Sequence, residues 1–326
     1  MNYVAPTWLP GGHLQTIWPA LYARRALRPR PPYQRERWTT PDRDFIDVDW
    51  LPAPAGKTLL VMFHGLEGSS ASHYAQGFAD YALGRGFAFA VPHFRGCSGE
   101  LNHGPRAYHS GDFEEIGWIL ARLRQQHQGA IVAVGISLGG NALLRWAEEM
   151  GAQAARVVDA VASVSSPIDL AASGRSIGRG FNRLVYTRMF LNTMKPKAMK
   201  KLAQHPGLFD GAAMRAVRDL YEFDNIFTAP LHGFRNTEDY WARASAKPQL
   251  HRIRIPTLVV NAQNDPFVPA ACLPHRQDVG DWVTLWQPAQ GGHVGFPQGH
   301  MPGHAGCMPH AVGGWLAAQL PQQHKP

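Results

Sequence analysis

Three observations predict an α/β fold with a mainly parallel, eight-stranded sheet, covered by helices on both faces. Short β-branched apolar runs alternate with helical patterns along most of the 326 residues. Several of these runs, such as Leu59 to Phe63 (LLVMF), are apolar throughout, as strands buried on both faces are. In a third, Ile131 to Val134 breaks at Gly135-Ile136-Ser137-Leu138-Gly139 and restarts with helical spacing through Ala142, Leu143 and Trp146.

In chain order, strands are expected at 35–40 and 45–50, close together and half polar, as an antiparallel edge hairpin. A buried strand at 58–63 is followed by a helix at 74–85, a strand at 87–91 and a helix at 112–126. The strand at 131–135 and the helix at 139–150 flank the glycine-rich break, and a sixth strand spans 158–164. The last strands are expected at 256–261 and 282–286, and a helix at 311–320 closes the chain. The stretch 170–250 lacks a buried strand pattern and is expected to be a helical cap inserted into a single domain spanning 1–326.

The break at Ser137 has the form of a nucleophile elbow. A hydroxyl lifted out of a sheet needs a tight strand-to-helix turn, with glycines two residues either side where backbones crowd it. The similar string Gly96-Cys97-Ser98-Gly99-Glu100 lacks the last glycine and sits among turn residues.

A serine is a weak nucleophile alone and requires a base and a group that orients the base, in this architecture following in the order acid, then histidine. Ile255 to Asn261 leads into Asp265, and the strand at 282–286 leads into Gly291-Gly292-His293. Asp265 and His293 are therefore the expected partners, with Asp224, Asp278 and Asp281 as rival acids. The loop His64-Gly65-Leu66-Glu67-Gly68-Ser69-Ser70 after the third strand supplies one oxyanion donor, the N–H of Leu66, and the elbow supplies the other, that of Leu138. His64 is expected to brace that loop rather than to take part in the chemistry.

The set His13-Leu14-Gln15-Thr16, HGLEGSS from His64, FRGCSGE from Phe94, GISLGGNALLRW from Gly135, FDNIFTAPLHGF from Phe223, NAQNDPFVP from Asn261 and GGHVGF from Gly291 resembles the YheT-like branch of the α/β-hydrolase superfamily. The resemblance covers nearly the whole chain. It implies a Ser–Asp–His carboxylesterase or acylglycerol-lipase-like enzyme for short- to medium-chain esters, with Ser137, Asp265 and His293 as its triad. Relatives of that branch include acyltransferases that form ethyl esters, so transfer of the acyl group to an alcohol is the alternative reading. A non-catalytic binding protein of the same fold is the second, although such a protein would be expected to have lost a triad member. The stretch 296–310, FPQGHMPGHAGCMPH, departs from the pattern in its glycine, proline and histidine content.

The net charge is +8, yet outside the cap and the segment 24–30 the basic residues are scattered and accompany no nucleic-acid-binding motif. The cap carries Arg175, Arg179, Arg183, Arg188, Lys195, Lys197, Lys200 and Lys201 beside Phe181, Leu184, Val185, Met189, Phe190 and Leu191. The apolar set is expected mainly to pack the cap onto the sheet, with a minority lining an acyl channel, and the charges suit weak peripheral association with anionic lipid. No signal peptide or membrane-spanning run is evident, so a cytoplasmic protein is expected, with an oligomeric state the sequence does not specify. Cys97, Cys272 and Cys307 form no paired spacing. His300, His304, Cys307 and His310 lie close together, but among glycines and prolines their plainer reading is a surface loop, and the serine chemistry calls for no metal or cofactor.

Overall fold

The computed structural model describes residues 2–26 and 31–320. Residues 27–30 of the basic segment lie outside the described residues. All eight expected strands form, each within two residues of its expected bounds. They are β1 (Gln34–Thr39), β2 (Phe45–Leu51), β3 (Leu59–Phe63), β4 (Ala88–Pro92), β5 (Ile131–Ile136), β6 (Ala160–Val164), β7 (Thr257–Val260) and β8 (Val283–Trp286). The sheet order is β1-β2-β4-β3-β5-β6-β7-β8. Strands β3 to β8 pair in parallel, while β2 is antiparallel to both β1 and β4. The polar side of the edge hairpin is a charge ladder: Arg35 faces Asp49 and Arg37 faces Asp47 in register, at 2.7 and 2.8 Å.

The side-chain alternation of β3 divides the core. Leu59, Val61 and Phe63 join the layer beneath α3 (Phe113–Gln126) and α4 (Leu138–Met150), while Leu60 and Met62 join that beneath α2 (His73–Arg85) and a C-terminal helix, Cys307–Ala318. This last helix begins four residues before the expected 311. Pro309 does not prevent it, because in a first helical turn the missing N–H has no intrahelical partner to lose.

Gly11–Ala26 forms a helix, α1, that no periodicity in the sequence predicts. Two leading glycines and the internal Pro19 hide it. Its reason for forming is tertiary: α1 packs on the loops that follow β7 and β8.

Between β6 and β7 the chain builds α5 (Leu170–Ile177) and α6 (Gly180–Asn182), which passes through a π-helical turn at Arg183–Thr187 into α7 (Arg188–Gln204). The short helices α8 (Gly211–Ala216) and α9 (Leu220–Phe223) lead into a second π-helical turn at Asp224–Thr228, then α10 (Ala229–Leu231) and α11 (Thr237–Ala244). The C-terminal helix is α12.

The chain steps from β3 to β4 on one side and then returns to β5 on the other, so the strand order reverses between β3 and β5. In such sheets the crevice outside the carboxyl ends at the reversal is where ligands bind.

Candidate active site

Ser137 is the first residue after β5 and adopts φ 51°, ψ −118°, a strained conformation that aims its side chain away from the sheet. The turn closes only with glycine alongside: a Cβ on Gly139 would lie 2.5 Å from the carbonyl oxygen of His64. The Ser137 N–H donates to the Val164 carbonyl at 2.8 Å, tying the elbow to β6.

Asp265 and His293, expected from chain order alone, come together at this serine. The Oγ of Ser137 lies 3.0 Å from Nε2 of His293, and Nδ1 of His293 lies 2.9 Å from Oδ2 of Asp265. With the carboxylate on Nδ1, that nitrogen carries the proton and Nε2 is free to accept from the hydroxyl. The other carboxylate oxygen of Asp265 accepts the N–H groups of Phe267 and Val268 at 2.8 and 3.2 Å, which fixes its plane. The Phe267 ring lies 4.1 Å from the imidazole and covers it.

The rival residues have other partners. Ser98 donates to Asp47 on the edge hairpin. Asp278 caps the turn at His275, and Asp281 is a surface partner of Arg276. Asp224 lies in the cap, accepting from Thr228 and from the Trp241 indole.

Leu66 and Leu138 both line the cavity over Ser137, and their N–H groups have no acceptor among the described residues. The donors flanking Leu66 are engaged: Gly65 N–H with the Tyr74 hydroxyl and Glu67 N–H with that of Tyr108. His64 is fully buried; it accepts the Phe94 N–H on Nε2 at 3.0 Å and donates from Nδ1 to the Gly65 carbonyl at 2.8 Å. Burial pushes its pKa down to about 3, so it is a neutral brace. Glu67 also accepts from Lys197 on α7 at 2.9 Å, joining this loop to the cap.

The motif His13-Leu14-Gln15-Thr16, given no structural role by the sequence reading, holds the two loops in place. The fully buried Gln15 Oε1 accepts both the Asn264 side-chain amide and the Gly291 N–H, each at 2.9 Å. Thr16 Oγ accepts the His293 N–H at 2.8 Å and donates to the Gly12 carbonyl. Backbones meet closely here, since a Cβ on Gly295 would lie 1.8 Å from the Gln15 carbonyl oxygen. That is the carbonyl which Pro19, lacking an N–H, leaves without its usual helical donor. The histidine loop is strained, with positive φ at Gly291, Gly292, Val294 (59°) and Phe296 (43°). No local pattern announces this clamp, because its partners lie some 276 residues apart.

The cavity is walled by Ile177, Phe190, Met194, Phe223 and Phe227 from the cap and by Leu138 and Phe267 from below. The cap's apolar set divides differently from expectation. Phe190 lines the cavity and Leu191 packs within the cap, but Phe181, Leu184 and Met189 are exposed. In the stretch 296–310, His304 accepts the Gly306 N–H, His310 meets the edge of Tyr81 and Cys307 starts α12. No metal-holding group of three or more His, Cys, Asp or Glu occurs among the described residues, and none of their helices is long and apolar enough to cross a membrane.

Comparison with known proteins agrees with this architecture. The α/β-hydrolase fold family matches residues 58–299. The candidate esterase YheT of Escherichia coli (strain K12) is 40% identical over 94% of this chain and 91% of its own length. Phospholipase ABHD3 of Mus musculus is 27% identical over 99% of this chain and 80% of its own. Among solved structures, the Pyrococcus furiosus esterase Pf2001 superposes with a TM-score of 0.55 at 17% identity, over 98% of this chain and 97% of that one, a likeness of fold alone. An elbow at the strand-order reversal, the family match over residues 58–299 and 40% identity to YheT together place the chain in the α/β-hydrolase family, in its YheT-like branch.

Proposed function

We propose that this protein is a serine carboxylic-ester hydrolase acting through an acyl-enzyme on Ser137. The observation that carries the reading is the unbroken hydrogen-bonded line from Ser137 Oγ through His293 to Asp265, at 3.0 and 2.9 Å. The names of the relatives, which include phospholipases and monoacylglycerol lipases, support an ester as the substrate class.

Ser137 Oγ attacks the ester carbonyl while its proton passes to Nε2 of His293, whose imidazolium is stabilised by Asp265. The N–H groups of Leu66 and Leu138 hold the oxyanion, and a donor of this kind typically contributes about 10²–10³ in turnover. His293 then protonates the leaving alkoxide, and a water activated by the same nitrogen hydrolyses the acyl-serine, restoring the free enzyme. The apolar wall from Ile177 to Phe227 suits an acyl chain rather than a charged one.

The test is labelling with a fluorophosphonate probe together with turnover on p-nitrophenyl esters of increasing chain length. Wild type should label and hydrolyse, and Ser137→Ala should do neither while keeping its circular dichroism. Full activity in Ser137→Ala would refute the reading.

A further inference from the structure

The surface of the cap beside the site combines two features that a purely water-facing helix avoids. Phe181, Leu184 and Met189 are 51%, 69% and 52% exposed. Close to them in the chain are Arg175, Arg179, Arg183 and Arg188, all exposed and none engaged in an ion pair among the described residues. From 170 to 209 the sequence contains eight Lys and Arg and no Asp or Glu, so nothing in this stretch offsets the positive field. The apolar surface continues onto α1, where Leu14 and Leu21, two turns apart on one face, are 45% and 60% exposed. His13 joins the two elements, its ring 4.6 Å from that of Phe181.

This patch borders the catalytic residues. Phe181 meets the Tyr186 ring, Tyr186 meets Phe267, and Phe267 covers His293. Isolated exposed apolar residues are ordinary, but several together among unpaired arginines form an amphipathic, basic face of the kind that lies in a membrane interface.

We infer that the face formed by Phe181, Leu184 and Met189, with the arginines around them, docks on anionic lipid bilayers and brings the cavity mouth against the surface. Apolar side chains enter the headgroup boundary while the guanidinium groups remain among the phosphates. A second copy of the chain suits the face less well, since a symmetric contact would bring one unpaired arginine cluster against another.

The experiment is co-sedimentation with vesicles of phosphatidylcholine alone and of phosphatidylcholine with 30% phosphatidylglycerol. It uses Ser137→Ala protein, so that binding is read without turnover and independently of the esterase proposal. Binding to the anionic vesicles should exceed binding to the neutral ones and weaken as salt rises. Arg183→Glu/Arg188→Glu should reduce it by at least about tenfold. Leu184→Ser/Met189→Ser should reduce it too, while the same pair in active enzyme should leave turnover of a water-soluble ester unchanged, because neither residue lines the cavity. Equal or absent binding to the two vesicle types would overturn the proposal. So would light scattering that shows a dimer converted to a monomer by Leu184→Ser/Met189→Ser.

Discussion

Replacing Thr16 by valine tests how far the placement of His293 depends on a helix at the opposite end of the chain. The substitution keeps the shape of the side chain and deletes one hydroxyl. That hydroxyl accepts the His293 N–H at 2.8 Å and is itself buried. Without it the N–H remains in a closed site with no acceptor, at a cost of about 1–3 kcal/mol. The loop escapes this cost by moving, which carries the imidazole away from Ser137. At about 1.4 kcal/mol per factor of ten, the aligned arrangement becomes scarcer by up to about a hundredfold, and we expect kcat to fall roughly tenfold or more. The other contacts of Thr16 matter less, because the Gly12 carbonyl retains its helical partner and the Tyr186 hydroxyl retains His13. Thr16 does not line the cavity, so KM should change little. Thr16→Ser restores the acceptor and should return kcat to within about threefold of wild type. The assay is steady-state hydrolysis of a short p-nitrophenyl ester, with circular dichroism as the folding control. Wild-type kcat in Thr16→Val would refute the positioning role, and a Thr16→Ser variant as impaired as Thr16→Val would show that packing, not the hydrogen bond, is what counts.

Asp265→Asn should lower kcat by on the order of 10⁴, as loss of the orienting carboxylate does in a related triad, whereas Asp281→Asn and Ser98→Ala should leave it near wild type; equal turnover in all three would remove the assignment. Burial pushes Asp224 up to about 6, against the opposing bonds from Thr228 and Trp241. A raised carboxyl favours the fold when protonated, so its contribution is present at low pH and is lost as pH rises through about 6. The melting temperature of Asp224→Asn relative to wild type should therefore be more favourable at pH 7.5 than at pH 5, and parallel pH profiles would contradict this. Incubation with a short acyl ester and millimolar ethanol or glycerol should give mainly free acid, because water at about 55 M competes unless an alcohol is held in place; new ester as the main product would favour acyl transfer.

The eight strands were legible because each is a short apolar or alternating run bounded by turn residues, and the elbow because strand, glycines and helix adjoin in sequence. The acid and histidine could be placed because each follows a readable strand. What stayed hidden depends on distant partners. Gln15 and Thr16 look like ordinary polar residues in a glycine- and proline-marked segment, and only the folded chain brings Asn264, Gly291 and His293 to them. Leu184 and Met189 read as packing residues because apolar character alone does not say whether the folded chain brings a partner to them, and it leaves both exposed.

The strained histidine loop also sets how the protein should fail on heating. Val294 and Phe296 hold left-handed backbone angles that cost about 1–3 kcal/mol each, and the loop keeps them because Gln15, Thr16 and Ser165 grip its N–H groups. Segments that carry strain and depend on a few contacts open at lower free energy than the sheet core. On a temperature ramp, turnover should decay while the helical signal is still intact, and amide exchange at 291–296 should quicken before that of β5. Inactivation should then be the local release of one loop, and on cooling it should reverse without the chain having unfolded.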